Sequence, residues 1–278
     1  MTIFPRSVFA AICISCSSVL GSSLSLLCAS FFYTPPAGAN EAENSPPRSA
    51  TTGWNGTAGA GFISFPRYTG GQQLQTIPIP VLSINYNETF YVEIERIGVY
   101  VLASDDKKIG LGLAVEPRFG YNASANQRLA GMATRRNSLE GGLTFDWDFD
   151  SIAFSAAWLT DMTKSSRGAS IRFSLYRPLL KTNRGEIGIV TSADRMSTAT
   201  ADYFFGVRGN EANLSRPSFS AGAGTTVSIG IGGTYRTGIH SALIFGANIG
   251  KLAKSVARSP IVENNRSQQI YLGYGWAL

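Results

Sequence analysis

Hydrophobic and polar residues alternate along residues 109–121, and the alternation resumes over residues 138–149. In the first segment, Ile109, Leu111 and Leu113 hold odd positions, whereas glycine, alanine or charged residues hold the even positions. A β-strand sends alternate side chains to opposite faces, so one face is apolar and the other carries small and charged residues. A dry core does not accept unpaired charges. The pattern therefore favours a barrel whose apolar face meets lipid and whose interior is polar.

The same alternation predicts further strands along most of the chain. They cover residues 53–65, 74–86, 151–162, 168–180, 186–193, 225–236, 241–250 and 267–278. Most of these segments approach or exceed the roughly 9–11 residues that a tilted strand needs to cross a bilayer. Pro78 and Pro80 lie inside the second segment. Because proline cannot donate to a ladder, we expect a bulge or a rim position there.

The lengths of the connections decide the strand count. Short turns are expected at residues 105–108, 149–151, 181–185 and 237–240, and long loops at residues 122–137, 194–224 and 251–266. In outer-membrane barrels the short turns are periplasmic and the long loops extracellular. Residues 89–104 must then turn back once, near Arg96, for the first strand to start in the periplasm. We predict an all-β, antiparallel transmembrane barrel of about 12 strands, with 10 as the alternative, since single-chain bacterial barrels have even numbers.

The N-terminal segment resembles a secretory signal peptide. Arg6 precedes a charge-free apolar stretch over residues 8–33, and Ala37-Gly38-Ala39 is a small-residue cleavage site. An uncleaved anchor is the alternative interpretation, because the apolar stretch is long. We therefore divide the chain into a signal peptide (residues 1–39), a flexible N-terminus (residues 40–51) and a barrel (residues 52–278).

Composition agrees with export to a Gram-negative outer membrane. All three cysteines lie within residues 1–39, so the mature chain offers no disulfide and no thiolate metal site. Charged residues make up 15% of the chain and the mean hydropathy is +0.04, which suits a barrel with polar and apolar faces and does not suit disorder.

Five charged residues share the small-residue faces of the predicted strands and are the candidate lumen charges. They are Glu116, Arg118, Asp146, Asp148 and Arg172. One interpretation is a charged pore lining, or a carboxylate pair for acid–base chemistry. The other is a network of salt bridges that satisfies charges inside a narrow barrel. We favour the network.

Enzymatic function is not favoured. His240, the single histidine, lies in a predicted periplasmic turn, away from the outer rim where a lipid-cleaving serine hydrolase would need it. We find no metal-ligand spacing and no nucleotide-binding loop, and we predict no cofactor.

Basic residues are concentrated in the predicted extracellular loops. Arg128, Arg135 and Arg136 lie in one of them. Guanidinium groups bind phosphate oxygens well, so we expect these loops to contact the phosphates of lipopolysaccharide. Ordinary solvated loops are the alternative.

Several segments together resemble the MipA/OmpV family of outer-membrane proteins. Gly59-Ala60-Gly61 with Pro66 and Tyr68 is similar to the family's opening strand and loop, and Ile77-Pro78-Ile79-Pro80 to its second strand. The remaining matches are residues 109–120, Asp202-Tyr203-Phe204-Phe205-Gly206-Val207, Ala221-Gly222-Ala223-Gly224 and Ser259-Pro260-Ile261-Val262. They occur in family order across residues 52–278.

The resemblance implies a monomeric outer-membrane barrel without known catalytic residues. One family member is named for binding a lytic murein transglycosylase, as a scaffold that links it to a peptidoglycan synthase. We therefore expect a non-enzymatic scaffold of the cell envelope, in contact with outer-membrane lipid and murein enzymes and not with nucleic acid. A narrow channel for small solutes is the alternative.

Overall fold

Twelve antiparallel strands close into a barrel in the computed structural model, which describes residues 53–149 and 151–278. The strands are β1 (Trp54–Pro66), β2 (Leu74–Tyr86), β3 (Phe90–Glu93), β4 (Ile97–Ala103), β5 (Ile109–Arg118), β6 (Ser138–Phe149), β7 (Ile152–Asp161), β8 (Ala169–Lys181), β9 (Gly185–Met196), β10 (Gly224–Arg236), β11 (Ser241–Lys251) and β12 (Arg266–Ala277). Sequence neighbours pair throughout, and β1 pairs with β12 to close the ring. The predicted all-β fold and the count of twelve are confirmed. The predicted signal peptide and residues 40–51 lie outside the described residues.

The predicted faces of the strands are also confirmed. On β5, Leu111 and Leu113 are exposed on the outside, whereas Gly112, Ala114 and Glu116 are buried in the lumen. Of the helices in the described part of the chain, none has the length and hydrophobicity that a membrane-spanning helix needs.

Aromatic residues ring the end of the barrel that carries the short turns. The Trp54 ring lies 5.0 Å from Tyr86 and 6.4 Å from Phe90, measured between ring centroids. Two further pairs, Trp147–Phe149 and Tyr274–Trp276, lie at the same end. Such a girdle marks a membrane–water interface. Because short turns are periplasmic in these barrels, we assign this end to the periplasm.

The β3–β4 hairpin is much shorter than its neighbours. It turns back at residues 94–96, as the sequence predicts, and its strands have only four and seven residues. β3 pairs with β2 only along residues 83–86, and β4 pairs with β5 only up to Val115. The wall therefore lacks two strands in its outer half. We call this gap the notch: it lies above the hairpin, between residues 74–81 of β2 and residues 117–119 at the end of β5.

The two prolines of β2 face the notch. The predicted bulge is wrong, because the β1–β2 register runs without a shift from Trp54↔Tyr86 to Pro66↔Leu74. The Asn87 amide donates to the Gly53 carbonyl at the start of this ladder, so odd-numbered residues of β2 bond to β1. The nitrogens of Pro78 and Pro80 consequently point to the open edge, where no ladder needs a donor.

An apolar cluster fills the lumen across its diameter. Tyr176 projects from β8 and packs in one cluster with Ile63 of β1 and Val81 of β2, which lie on the opposite side of the ring. Ile244 and Tyr271 complete this layer. The Tyr176 and Tyr271 rings lie against glycines of the adjacent strands, at positions where a side chain on the glycine would clash with the ring. The interior at this level is therefore packed with side chains.

The long outer loops fold into a lid over the extracellular mouth. The lid comprises residues 119–137, 197–223 and 252–265, with helix α1 (Thr198–Phe205) and the short helix α2 (Lys254–Ala257). Two buried clusters hold it together. One consists of Met196, Ala201, Phe204, Phe205, Ala221, Leu252, Ala253 and Val256, and the other of Tyr68, Tyr121, Ala125, Leu129, Met132, Val207 and Ile261.

Candidate functional site

Six charged side chains form an ion-pair network in the lumen, just below the lid. They are Arg96, Glu116, Arg118, Glu140, Arg172 and Asp194. Strand alternation places five of them inside the barrel, on β5, β6, β8 and β9, and the hairpin turn between β3 and β4 carries Arg96 inward.

Arg118 connects two carboxylates that come from different strands. Its Nε donates to Glu140 Oε1 at 2.6 Å, and its Nη1 donates to Asp194 Oδ2 at 3.1 Å. The Arg118 side chain is only 2% exposed and that of Glu140 only 1%. Both charged groups are thus shielded from water. Each stabilises the other as an ion-pair partner, because a buried charge without a partner is costly.

Arg172 and Arg96 extend the network toward the middle of the barrel. Arg172 donates to Glu116 and, through Nη2, to Glu140 Oε2 at 2.8 Å. Arg96 Nε donates to Glu116 Oε1 at 2.6 Å. The tip of the short hairpin is thereby fixed to the inner wall.

Among these six side chains the charges balance. Three guanidinium groups face three carboxylates, and each carboxylate accepts from at least one guanidinium. A network of this kind joins β5, β6, β8 and β9 across part of the lumen. The salt-bridge interpretation of the lumen charges fits this geometry, and a row of charges along an open water path does not.

The structure brings together only some of the predicted lumen residues. Glu116, Arg118 and Arg172 meet in the network. Asp146 lies closer to the periplasm and accepts from the Tyr100 hydroxyl at 3.1 Å, and Asp148 lies lower still on β6.

Sequence reasoning missed three members of the network. Glu140 has the same parity on β6 as Asp146, so the alternation along β6 is the signal that identifies Glu140 as a lumen residue. Asp194 was assigned to a loop, but β9 extends to Met196 and carries Asp194 inward. No periodic signal marks Arg96, because it lies in a turn.

A cavity of about 870 Å³, part of it open to solvent, lies between the network and the lid. Arg118 and Asp194 form its floor, and Phe204, Phe205 and Leu252 lie on the lid side. Hydroxyl and amide side chains line the wall formed by β10, β11 and β12. They are Thr226, Ser228, Asn248, Ser267 and Gln269.

The three arginines expected to touch lipopolysaccharide differ in exposure. Arg135 is 1% exposed: its two Nη atoms donate to Glu211 at 2.8 Å, and Nη2 also donates to the Gly206 carbonyl. It holds the lid together and cannot reach a lipid phosphate, so that expectation is wrong for Arg135. Arg136 is exposed, and Arg128 is half-exposed and pairs with Glu263 at 3.3 Å.

Other basic residues lie on the outer face of the barrel, at its extracellular rim. Arg195 on β9, Lys251 on β11 and Arg266 on β12 are exposed and share the parity of lipid-facing residues. Lys251 and Arg266 are direct cross-strand partners. The strand ends thus place positive charge where the polar part of the outer leaflet begins.

His240 is exposed in the turn between β10 and β11, as predicted. Within residues 53–149 and 151–278, no three histidine, cysteine, aspartate or glutamate side chains are grouped closely enough to hold a metal ion.

Comparison with known families decides the assignment. A family model described as "MltA-interacting protein MipA" matches residues 58–278, which is nearly the whole barrel. The chain belongs to the MipA family. This confirms the resemblance seen in the sequence and, with the barrel fold, the location in the outer membrane. None of the curated proteins compared with the chain matches it.

Solved outer-membrane barrels resemble this MipA-family chain only loosely. A NanC porin shares 9% identity, with 80% of this chain and 100% of the porin covered and a TM-score of 0.43. A Pseudomonas aeruginosa FadL homologue shares 9% identity over 81% and 88% of the two chains, with a TM-score of 0.34. The outer-membrane channel DcaP of Acinetobacter baumannii shares 7% identity over 81% and 96%, with a TM-score of 0.33.

Proposed function

We propose that this MipA-family barrel is a non-enzymatic interaction protein of the cell envelope, and not a diffusion channel. The observation that supports this most directly is the layer around Tyr176, which belongs to one buried apolar cluster with Ile63 and Val81 of the opposite wall. A diffusion channel needs a continuous water path through its lumen. Side chains occupy that path here, and the lid covers its outer mouth.

The proposed partner is a murein-processing enzyme in the periplasm. The family's description names an interaction with MltA, and a soluble periplasmic enzyme can reach only the short-turn end. We propose that the barrel anchors such a hydrolase at the membrane and links it to a murein synthase. The turns at residues 105–108 and 182–184 offer exposed charges for this contact.

The turn at residues 105–108 is held in a fixed shape. Asp106 Oδ1 accepts two hydrogen bonds, from Ser104 Oγ at 2.6 Å and from the Lys108 amide at 3.1 Å. Lys107 has a left-handed backbone with φ of 55°. A partner that binds this turn therefore loses little conformational freedom in it, which favours association.

A binding measurement with matched charge reversals tests this proposal. The test variant combines Lys107→Glu with Lys108→Glu. The control combines Lys164→Glu with Arg167→Glu in an outer loop, where both residues, like Lys107, have a left-handed backbone. Affinity for a purified lytic transglycosylase of the MltA type should fall about tenfold in the first variant, since rim charges contribute about 0.5–1 kcal/mol each. Wild-type barrel that does not bind the enzyme, or an equal loss in both variants, would contradict the proposal.

We also propose that the exposed basic residues of the outer rim bind lipopolysaccharide phosphates. Arg195, Lys251 and Arg266 are better placed for this than Arg135. Lys251→Gln with Arg266→Gln should slow refolding into lipopolysaccharide-containing vesicles and leave refolding into neutral phosphatidylcholine vesicles unchanged. Equal rates for variant and wild type in both vesicles would eliminate the idea.

A further inference from the structure

The notch and the cavity meet at Phe119. This residue follows the last residue of β5, at the side of the notch. It lines the cavity and also packs against the apolar cluster around Tyr176, as do Ile77 and Ile79 on the other side of the notch. Phe119 is thus part of both the cavity wall and the side of the notch.

The edge of the notch suits lipid better than an added strand. Four residues of β2, at positions 74, 76, 78 and 80, direct their backbone groups toward the notch, and two of them are prolines. A strand that docked there would lack two donors. The prolines also reduce the number of unpaired amide groups that an apolar chain would meet.

The cavity has one apolar side and one polar side. Phe65, Phe204 and Phe205 contribute apolar surface, while Ser228, Asn248 and Gln269 contribute hydroxyl and amide groups. Its floor is an arginine and an aspartate that are already paired with each other. The site therefore offers hydrogen bonds without a net charge.

Gln269 provides a donor that is unused by the described residues. Its side chain is 3% exposed, and its Nε2 has no hydrogen-bond partner within residues 53–149 and 151–278. The Oε1 atom accepts weakly from Asn248 at 3.5 Å. A buried amide donor without a partner is costly, and a ligand oxygen would satisfy it.

We propose that a single-chain amphiphile with an uncharged, hydroxyl-bearing head group enters this cavity from the outer leaflet through the notch. The head group accepts a hydrogen bond from Gln269 Nε2, the acyl chain lies along Phe65 and Phe119, and Phe119 controls entry. This site is independent of the proposed murein partner, which would bind at the other end of the barrel.

Photo-crosslinking from inside the cavity tests the proposal. The full-length mature barrel is placed in lipid vesicles that contain radiolabelled 1-monolauroylglycerol, and p-benzoylphenylalanine replaces Phe204 or, in a second protein, Phe205. The matched control carries it in place of Tyr68, a buried aromatic of the β1–β2 loop that packs with lid residues and does not line the cavity. Heat-modifiable gel mobility shows which proteins are folded.

The probe should label the Phe204 or Phe205 position at least about fivefold more than the Tyr68 position. Gln269→Leu should reduce this labelling about fivefold, the effect of losing one hydrogen bond of about 1 kcal/mol. Phe119→Trp should slow its appearance. Equal labelling at Tyr68, or no effect of Gln269→Leu, would overturn the site, and an unchanged rate in Phe119→Trp would overturn the lateral route.

Discussion

Arg118 illustrates how single residues stabilise the barrel interior. Its guanidinium group bonds to Glu140 on β6 and to Asp194 on β9, in surroundings that exclude water. An ion pair of this kind adds little stability over an apolar replacement of both partners. Loss of one partner is different, because the remaining charges stay buried.

We therefore expect Arg118→Met to destabilise the barrel by about 3–5 kcal/mol, the usual cost of breaking a buried pair. Urea unfolding in lipid vesicles measures this change. Arg167→Met, at an exposed loop position, is the control and should leave stability within about 0.5 kcal/mol. A loss of stability below about 1 kcal/mol for Arg118→Met would show that the barrel tolerates the loss of one partner from the network.

Residue alternation made part of the site predictable. Glu116, Arg118 and Arg172 were placed in the lumen by parity alone. Burial of Arg135 was not predictable, because a basic residue in a long polar segment has the same local sequence whether it is solvated or paired. Its partner, Glu211, is 76 residues away. The pairing depends on how two loops pack, and the sequence has no periodicity that specifies this packing.

At the scale of elements, the long strands were predicted to within a few residues because their alternation is continuous. The sequence predicts the β3–β4 hairpin but not its consequence. Two strands of four and seven residues cannot reach the outer rim, so the wall has twelve strands near the periplasm and ten near the outside. The closed ring itself has twelve strands, so the predicted count of twelve is confirmed and the alternative of ten is wrong.

The prolines of β2 should keep its open edge from pairing. Replacing Pro78 and Pro80 with valine restores two donors beside the notch, and an edge with free donors accepts strands of other molecules. We expect the double variant to form dimers on unheated gels at a higher proportion than wild type. The matched control is Pro178→Val on β8, which pairs with β9 and lies away from the notch. A monomer fraction unchanged from wild type would argue that the edge is already covered.

The lid should lose stability in acid. Arg135, through its hydrogen bonds, holds the pKa of Glu211 near 2, below its ordinary 4.5. Because the folded carboxyl has the lower pKa, its contribution to lid stability is complete above about pH 4.5 and is lost as the pH falls toward 2.

Amide hydrogen exchange in the lid, corrected for the intrinsic effect of pH, measures this loss. Protection at Ala133 and Arg208, whose amides donate to Glu211, should decrease as the pH falls from 4.5 toward 2. Glu211→Gln should show no such dependence over this range. If the protection of these amides changed with pH by the same amount in the wild type and in Glu211→Gln, another group would be responsible.

At the scale of the whole molecule, three layers of side chains lie in or above the lumen, and we propose that they close it. The Tyr176 layer crosses the barrel, the ion-pair network lies above it, and the lid covers the outer mouth. The polar interior that the sequence predicts is present, but its charges pair with one another. The Tyr176 layer depends on one apolar cluster that joins strands on opposite sides of the ring, which no local pattern reveals.

Single-channel recording in a planar bilayer tests this closure most directly. The folded, heat-modifiable barrel should insert without steady conductance, and Asp146→Asn should remain silent as well. A steady conductance in the wild type that changes with Asp146→Asn would contradict the closed lumen and would favour a narrow channel lined by the lumen charges.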